Sequence, residues 1–295
     1  MVAKKKIGFI GVGKMGNPIA RNLINNGYAL KVYDVVPEAR QVFADHGAEV
    51  VDSAMEAASG VELVISSIPD NPALEDVALG DKGVLAGAGE GTTYMDMSTV
   101  SPTLSDKVDE AAKAKGIAYL RAPVSGSVES AEAGILAILC SGPKEAYEGC
   151  KDILDIMGAK VFHVGEKSEA LYMKLLINMM VGVTSAVTAE ALAFGKKGGL
   201  DWDQMIDMIH SSVIGSPLIG FKVPMMKARD FSAAFSVWQM SKDFNIALNA
   251  GRDMDMPMPL TSMVQQFYGA MKATGRGERD YFGLIELMEE MAGVK

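Results

Sequence analysis

Residues 6–16 read KIGFIGVGKMG. Lys6 to Ile10 is a short apolar run without alternation, the pattern of a strand covered on both faces. Gly11-Val12-Gly13-Lys14-Met15-Gly16 follows at once, and Ile19, Ala20, Leu23 and Ile24 then recur at helical spacing. Strand, tight turn and helix are the context that a G-x-G-x-x-G needs before it means anything. A second apolar strand, Ala29 to Tyr33, ends in Asp34, close to the spacing of roughly 20 residues at which a ribose-binding acid is expected. The stretch therefore predicts a dinucleotide site built on Gly11, Gly13, Lys14, Met15 and Gly16. Gly11 permits the turn, Gly13 lets the backbone approach the pyrophosphate, Gly16 allows close helix packing, and the helix N-terminus supplies donors. Asp34 is expected to accept from the ribose hydroxyls of NAD. It would repel the 2′-phosphate of NADP, and no arginine follows before Arg40, so NAD is favoured. A strand-end turn former is the plainer reading of the same aspartate.

Further strand patterns follow with helical patterns between them: Leu63 to Ser67, Thr93 to Met97, Ala118 to Leu120, Leu136 to Cys140 and Lys160 to His163. This alternation predicts an α/β fold, a Rossmann-type doubly wound and mostly parallel sheet. Ligands of such sheets lie beyond the carboxyl ends of the strands. Ser67, Ile68 and Pro69 after one strand, and Ser98 and Thr99 after the next, are thereby candidate walls of the cofactor site. The serines and threonine read equally well as helix caps. Arg121-Ala-Pro-Val-Ser125-Gly126-Ser127 is a third such turn, whose amides and hydroxyls around a glycine suit a carboxylate; Ser-Gly-Ser is also an ordinary turn.

From about Ser168 the strand patterns cease and helical spacing continues to the end. The chain thus divides into a dinucleotide-binding domain, residues 1–166, and an all-helical domain, residues 167–295, joined by a long helix at about 169–197. Residues 164–183, VGEKSEALYMKLLINMMVGV, open that helix with two stranded polar residues. Lys174 and Asn178 lie one turn apart on one face. A lysine there snorkels, pairs with a carboxylate, or forms the floor of a substrate cleft. Lys242-Asp243 sits inside another apolar helix pattern, FSVWQMSKDFNIA.

Composition bounds the partners. The 295 residues carry a net charge of −9, with 49% hydrophobic and 22% charged residues. No basic footprint marks a nucleic acid or an anionic membrane as partner. No window offers about 18 apolar residues free of charge, the length of a membrane span. Cys140 and Cys150 have neither zinc-ligand nor disulfide spacing, which predicts free thiols in a reducing cytoplasm and no metal. His46, His163 and His210 belong to no catalytic constellation. A 25-residue helix apolar nearly all round needs more cover than one chain of this size offers, which predicts a homo-dimer or homo-tetramer.

Taken together, GVGKMG, DMSTVSP at 96–102, APVSGS at 122–127, MKLLINM at 173–179 and SKDFNIAL at 241–248 resemble the β-hydroxyacid dehydrogenase family in order along nearly the whole chain. MKLLINM is most similar to its glyoxylate/succinic semialdehyde reductase branch. The resemblance implies hydride transfer between nicotinamide and a small anionic 3-hydroxy acid or its semialdehyde. It implies Lys174 as general acid/base, Asn178 orienting substrate, Ser125, Gly126 and Ser127 holding its carboxylate, and Lys242 closing over substrate and cofactor. An apolar surrounding would help Lys174 reach the neutral state that oxidation requires. The similar imine reductases, a decarboxylation following oxidation, and a non-catalytic dinucleotide-binding scaffold are the competing readings; the lysine and the intact Ser-Gly-Ser turn weigh against the first and last. Three departures from the family pattern stand out. Arg121 replaces an acid before APVSG, and either brings a positive charge to the carboxylate turn, as a further substrate-binding residue, or pairs with an acid elsewhere. Ser168 and Ala170 replace glycines ahead of the lysine. Asp34 points to NAD although the glyoxylate branch tends to NADP.

Overall fold

The computed structural model describes residues 4–294. Packing divides it into two units, Met1–Lys174 and Leu175–Lys295. In the first, the order is β1 (Lys6–Ile10), α1 (Gly16–Asn25), β2 (Ala29–Tyr33), α2 (Pro37–Ala44), β3 (Glu49–Val50), α3 (Ala54–Ala58), β4 (Leu63–Ser66), α4 (Asn71–Leu79), α5 (Val84–Gly87), β5 (Thr93–Asp96), α6 (Pro102–Lys113), β6 (Ala118–Arg121), β7 (Val124–Ser125), α7 (Val128–Glu132), β8 (Leu136–Ser141), α8 (Lys144–Gly149), α9 (Lys151–Met157) and β9 (Gly158–Gly165). The long helix α10 (Glu169–Lys197) begins in this unit and ends in the other. The second unit continues with α11 (Trp202–Ser211), α12 (Pro217–Ala228), α13 (Val237–Asp253), α14 (Pro259–Ala273) and α15 (Leu284–Ala292).

The strands form one nine-stranded sheet in the order β3-β2-β1-β4-β5-β6-β8-β7, with β9 also on β8. The pairs from β3 to β6 are parallel, and the sequence order reverses between β1 and β4, which is where a doubly wound sheet opens its crevice. Side-chain alternation feeds two cores. Leu63, Ile65, Met95 and Leu120 enter one, while Val64, Tyr94 and Tyr119 enter the other on the opposite face. Burial on both faces explains why these strands read as continuous apolar runs. β8 lies antiparallel to β6 and β7 and parallel to β9. The two-residue strands β3 and β7 are too short to show any period in sequence.

Among the described residues the second unit holds no strand beyond isolated bridges at Ser232 and Ser236. Its core joins Ala189 and Leu192 of α10 to Met205, Ile219, Met240, Phe244, Tyr268 and Leu284. Gly182 lets α10 and α13 approach closely, since a Cβ there would strike the Phe244 ring. The first turns of α10 belong to the other unit, where Leu171 is buried in the sheet's second core, so packing places the boundary after Lys174 and past the 166/167 division expected from the loss of strand pattern. By length and composition alone α10 could cross a membrane, yet 44% of its most apolar window is buried inside the protein.

Candidate active site

The turn after β1 is held by three contacts. Gly11 N donates to Tyr33 O at 2.9 Å, Ser67 N to Ile10 O at 2.9 Å, and Val12 N to Asp34 Oδ2 at 2.8 Å. Gly11 has φ +84°, and a Cβ there would run into the Ser67 carbonyl; one at Gly16 would run into the Gly11 carbonyl. Gly13 differs, since a Cβ would meet nothing within 4 Å. Protein packing does not demand glycine at that position, and its backbone is left open to a group approaching from outside. Behind the turn, α1 starts at Gly16 with no side-chain cap and no acid in its first turn. Pro18 has no N–H and Asn17 N donates to Gly13 O at 2.9 Å, so what α1 offers an anion is chiefly its positive end. Lys14 is exposed and Met15 half-buried beside them. Asp34, half-buried at the end of β2, takes one backbone amide on each oxygen, from Val12 and from Val36, both at 2.8 Å. A carboxylate oxygen has capacity for more than one donor, so Asp34 can still accept from a ribose. The donor set and the open cradle at Gly13 fit a dinucleotide.

The turns after β4 and β5 are tied together from below. Ser66 Oγ donates to Asp96 Oδ1 at 2.7 Å and lies 3.0 Å from Tyr94 Oη. Ser98 Oγ donates to the same Asp96 oxygen at 2.6 Å and accepts from Ile68 N at 2.9 Å. The Ser98 hydroxyl thus fixes the two turns to each other, with its proton directed at Asp96. Ile68 is held in place by that bond, while Ser67 and Thr99 are half-buried and Pro69 exposed. Asp96, which opens the turn expected to wall the cofactor site, is its organiser: it takes both serine hydroxyls on one oxygen.

Ser125 ends β7, Gly126 is exposed at φ +151°, and Ser127 caps the short α7 by accepting from Ser130 N at 3.3 Å. Ser127 also holds the Glu129 carboxyl below its ordinary range by hydrogen bonding. Arg121 points elsewhere. Its side chain is 1% exposed, with Nε donating to Ser105 Oγ at 2.9 Å and Nη2 to Asp106 Oδ1 at 2.8 Å, and with Asp109 Oδ2 at 3.4 Å. Of the two alternatives open for Arg121, pairing with acids elsewhere is the one observed, on one face of α6, and the substrate-binding expectation is corrected accordingly.

Lys174 is half-buried on α10, one turn before Asn178. Within the second unit, buried Asn178 donates from Nδ2 to Asp243 Oδ2 at 2.6 Å, which fixes how its amide faces. The other Asp243 oxygen lies 3.0 Å from Lys242 Nζ, an ion pair without hydrogen-bond alignment. Asp243 was noted in sequence only as Lys242's neighbour; an aspartate inside an apolar helix needs a donor, and Asn178 is that donor. His163 accepts a structural place, 2.9 Å from Gly142 O and stacked near Tyr147, while His46 and His210 are exposed. Cys140 and Cys150 are free and buried, and burial pushes their thiols up to about 12 and about 11. Among the described residues no cluster of histidine, cysteine and carboxylates could hold a metal.

Known proteins agree with this architecture. A family described as the NAD binding domain of 6-phosphogluconate dehydrogenase matches residues 6–165, and one described as NAD-binding of NADP-dependent 3-hydroxyisobutyrate dehydrogenase matches residues 169–288. The chain is 33% identical to 2-(hydroxymethyl)glutarate dehydrogenase of Eubacterium barkeri over 290 residues, 98% of this chain and 96% of the other. It is 35% identical to 3-hydroxyisobutyrate dehydrogenase of Pseudomonas aeruginosa over 269 residues, 89% of this chain and 90% of the other. The structure of Mycobacterium tuberculosis 3-hydroxyisobutyrate dehydrogenase with L-serine superposes with a TM-score of 0.88 at 29% identity, covering 97% of this chain and 99% of that one. With a dinucleotide cradle in one unit, an all-helical second unit and full-length relatives of this kind, the chain belongs to the β-hydroxyacid dehydrogenase family of nicotinamide-dependent oxidoreductases.

Proposed function

We propose that this protein transfers a hydride between NAD(H) and a small 3-hydroxy acid or the corresponding semialdehyde, with Lys174 as general acid/base. The observation that carries the reading is Lys174 one helical turn before Asn178, whose amide is fixed by buried Asp243. When bound, the nicotinamide supplies the two-electron hydride acceptor or donor. In oxidation the neutral Lys174 amine takes the proton from the substrate hydroxyl; in reduction the ammonium returns it to the carbonyl oxygen as negative charge develops there. Asn178 orients that oxygen, Ser125, Gly126 and Ser127 hold the substrate carboxylate, and Lys242 adds a positive charge.

The substrate class rests on the relatives. The names 2-(hydroxymethyl)glutarate, 3-hydroxyisobutyrate and L-serine all denote a carboxylate with a hydroxymethyl group on its α-carbon. Such a 3-hydroxy acid is the class assigned here. The preference for NAD rests on Asp34 and on Arg40, which is already engaged: its Nη1 donates to Val51 O at 2.7 Å and its Nη2 pairs with Asp52 at 3.0 Å. A homo-oligomer is supported by the apolar stripe Met173, Met180, Val187 and Phe194 on α10, which repeats every seven residues and is exposed up to 81% at Phe194. A cytoplasmic site is supported by the free thiols.

The test is kcat/KM for 3-hydroxyisobutyrate, L-serine, 2-(hydroxymethyl)glutarate, glyoxylate and succinic semialdehyde with NAD(H) and NADP(H), in the wild type and Asp34→Asn. A wild-type preference for NAD(H) is expected, narrowed about tenfold or more by the loss of a charged acceptor. Preference for NADP(H) would overturn the cofactor assignment, and no turnover of the three 3-hydroxy acids, whether or not glyoxylate or succinic semialdehyde is reduced, would overturn the substrate class.

A further inference from the structure

Arg121 and Ser168, 47 residues apart, meet on a single oxygen. Asp106 Oδ1 accepts from Arg121 Nη2 at 2.8 Å and from Ser168 Oγ at 2.6 Å. Ser168 stands where α10 begins, and its carbonyl accepts from Leu171 N and Tyr172 N, both at 3.1 Å. A serine in that place ordinarily caps its own helix with its hydroxyl. Here the hydroxyl is turned to α6, and capping is supplied from β8 instead: Ser141 Oγ accepts from Ala170 N at 3.2 Å and donates to Lys167 O at 2.6 Å. The start of the lysine-bearing helix is thus held by two side chains from outside it.

The first hold is anchored deeply. Arg121 ends β6, where it is in register with Asp96 of β5 and Ser141 of β8, and its guanidinium lies over the Tyr119 ring at 5.0 Å. It bridges Ser105 and Asp106 of α6 with donors in a fixed fork, something a lysine cannot do. The cluster is poorly optimised for stability, since Arg121 Nη1 and Asp109 Oδ1 are buried without hydrogen-bond partners. Buried ion pairs are weak evidence for stabilisation, and fixing a register is their best-attested use.

We propose that Arg121, Asp106 and Ser168 are positioning residues, a clamp that sets the first turns of α10 and through them the place of Lys174. The proposal rests on the general acid/base reading of Lys174. Six residues at about 1.5 Å of rise put that lysine roughly 9 Å along the helix from Ser168, so a tilt of about 6° pivoting at the helix start displaces it by about 1 Å. Displacements of about 1 Å can cost on the order of 10²-fold in rate.

The experiment uses Ser168→Ala, Asp106→Ala, their double variant, Ser168→Thr and Arg121→Lys in the full-length protein, with Lys174→Met in parallel. Hydrogen exchange of the segment 166–176 reads the clamp without any substrate. Steady-state kinetics then use whichever of 3-hydroxyisobutyrate, glyoxylate and succinic semialdehyde the wild type turns over fastest. Faster exchange is expected in both alanine variants, with kcat down about 5- to 100-fold, KM for NAD(H) unchanged, and the double variant no worse than the worse single, because both remove one interaction. Ser168→Thr should restore kcat and Arg121→Lys should lose part of it. Unchanged exchange, additive losses, or failure of threonine to restore kcat overturns the clamp. Faster exchange with wild-type kcat, while Lys174→Met is inactive, overturns positioning and leaves the acid/base reading standing. An active Lys174→Met enzyme removes that reading, and the positioning role with it.

Discussion

Lys174 in YMKLLIN of α10 and Lys222 in GFKVPMM of α12 each interrupt an apolar helix. The bare pattern is the same and the outcome differs. Lys222 is 2% exposed, donates to Asp280 Oδ1 at 2.8 Å, and lies 4.7 Å from the Tyr281 ring centre and 5.4 Å from that of Phe282. Asp280 is further satisfied by the amides of Phe282, Ala234 and Phe235. Burial pushes the Lys222 ammonium below its ordinary range while Asp280 pulls the other way. This is a closed ion pair inside one unit's core. Lys174 is half-buried, and the residue one turn on is Asn178, whereas one turn beyond Lys222 is buried Met226. A lysine in an apolar helix is therefore not in itself a mark of chemistry; on the proposed reading, the second polar group on the same face is what sets Lys174 apart.

The comparison breaks most sharply at Lys174. Lys174→Met should keep the fold and NADH binding, followed by fluorescence titration, while kcat falls by at least about 10². Lys174→Arg should rescue little, because a guanidinium cannot return to the neutral state that accepts the proton. Near-normal turnover in a folded Lys174→Met protein would put both lysines in the structural class.

Lys222→Met is the mirror experiment. Removing the cation leaves the Asp280 charge buried, so urea unfolding should show a loss of about 3–5 kcal/mol, partly recovered in Lys222→Met/Asp280→Asn, with kcat per folded molecule unchanged. A fall in kcat without a loss of stability would erase the distinction between the two helices.

A buried acid gives a smaller effect of known sign. Burial opposes ionisation of Glu289, yet its hydrogen bonds from Arg229 and Lys196 prevail and hold its carboxyl below the ordinary 4.5. Above 4.5 its contribution to stability is fully present. As pH falls from there through the lower folded-state value, the unfolded chain binds the proton more readily and the contribution is lost. Thermal melts through the acid range should fall less steeply for Glu289→Gln than for the wild type, and parallel slopes would remove Glu289 from the acid response.

How much of this was legible follows from distance along the chain. The parallel strands β1, β4, β5 and β6 and the helix α10 showed themselves because burial on two faces, or helical spacing, is a local pattern. Pairings did not. Lys222 and Asp280 lie 58 residues apart, and Asp106 and Ser168 lie 62 apart, so no spacing rule joins them. Arg121 was visible as a polar residue at a strand end, but the direction its side chain takes depends on Asp106 and Asp109, which only the fold brings alongside, whereas Ser98 turns to Asp96 just two residues before it.

The open space at Gly13 has a consequence for how tolerance to mutation maps this protein. A library sorted for folding alone would reject side chains at Gly11 and Gly16, where a Cβ strikes backbone carbonyls, and would pass them at Gly13, where it strikes nothing. Sorted again for nucleotide capture, the same library should lose Gly13 as well. The difference between the two sorts would trace the face turned toward the nucleotide without a bound nucleotide ever being seen, one residue at a time.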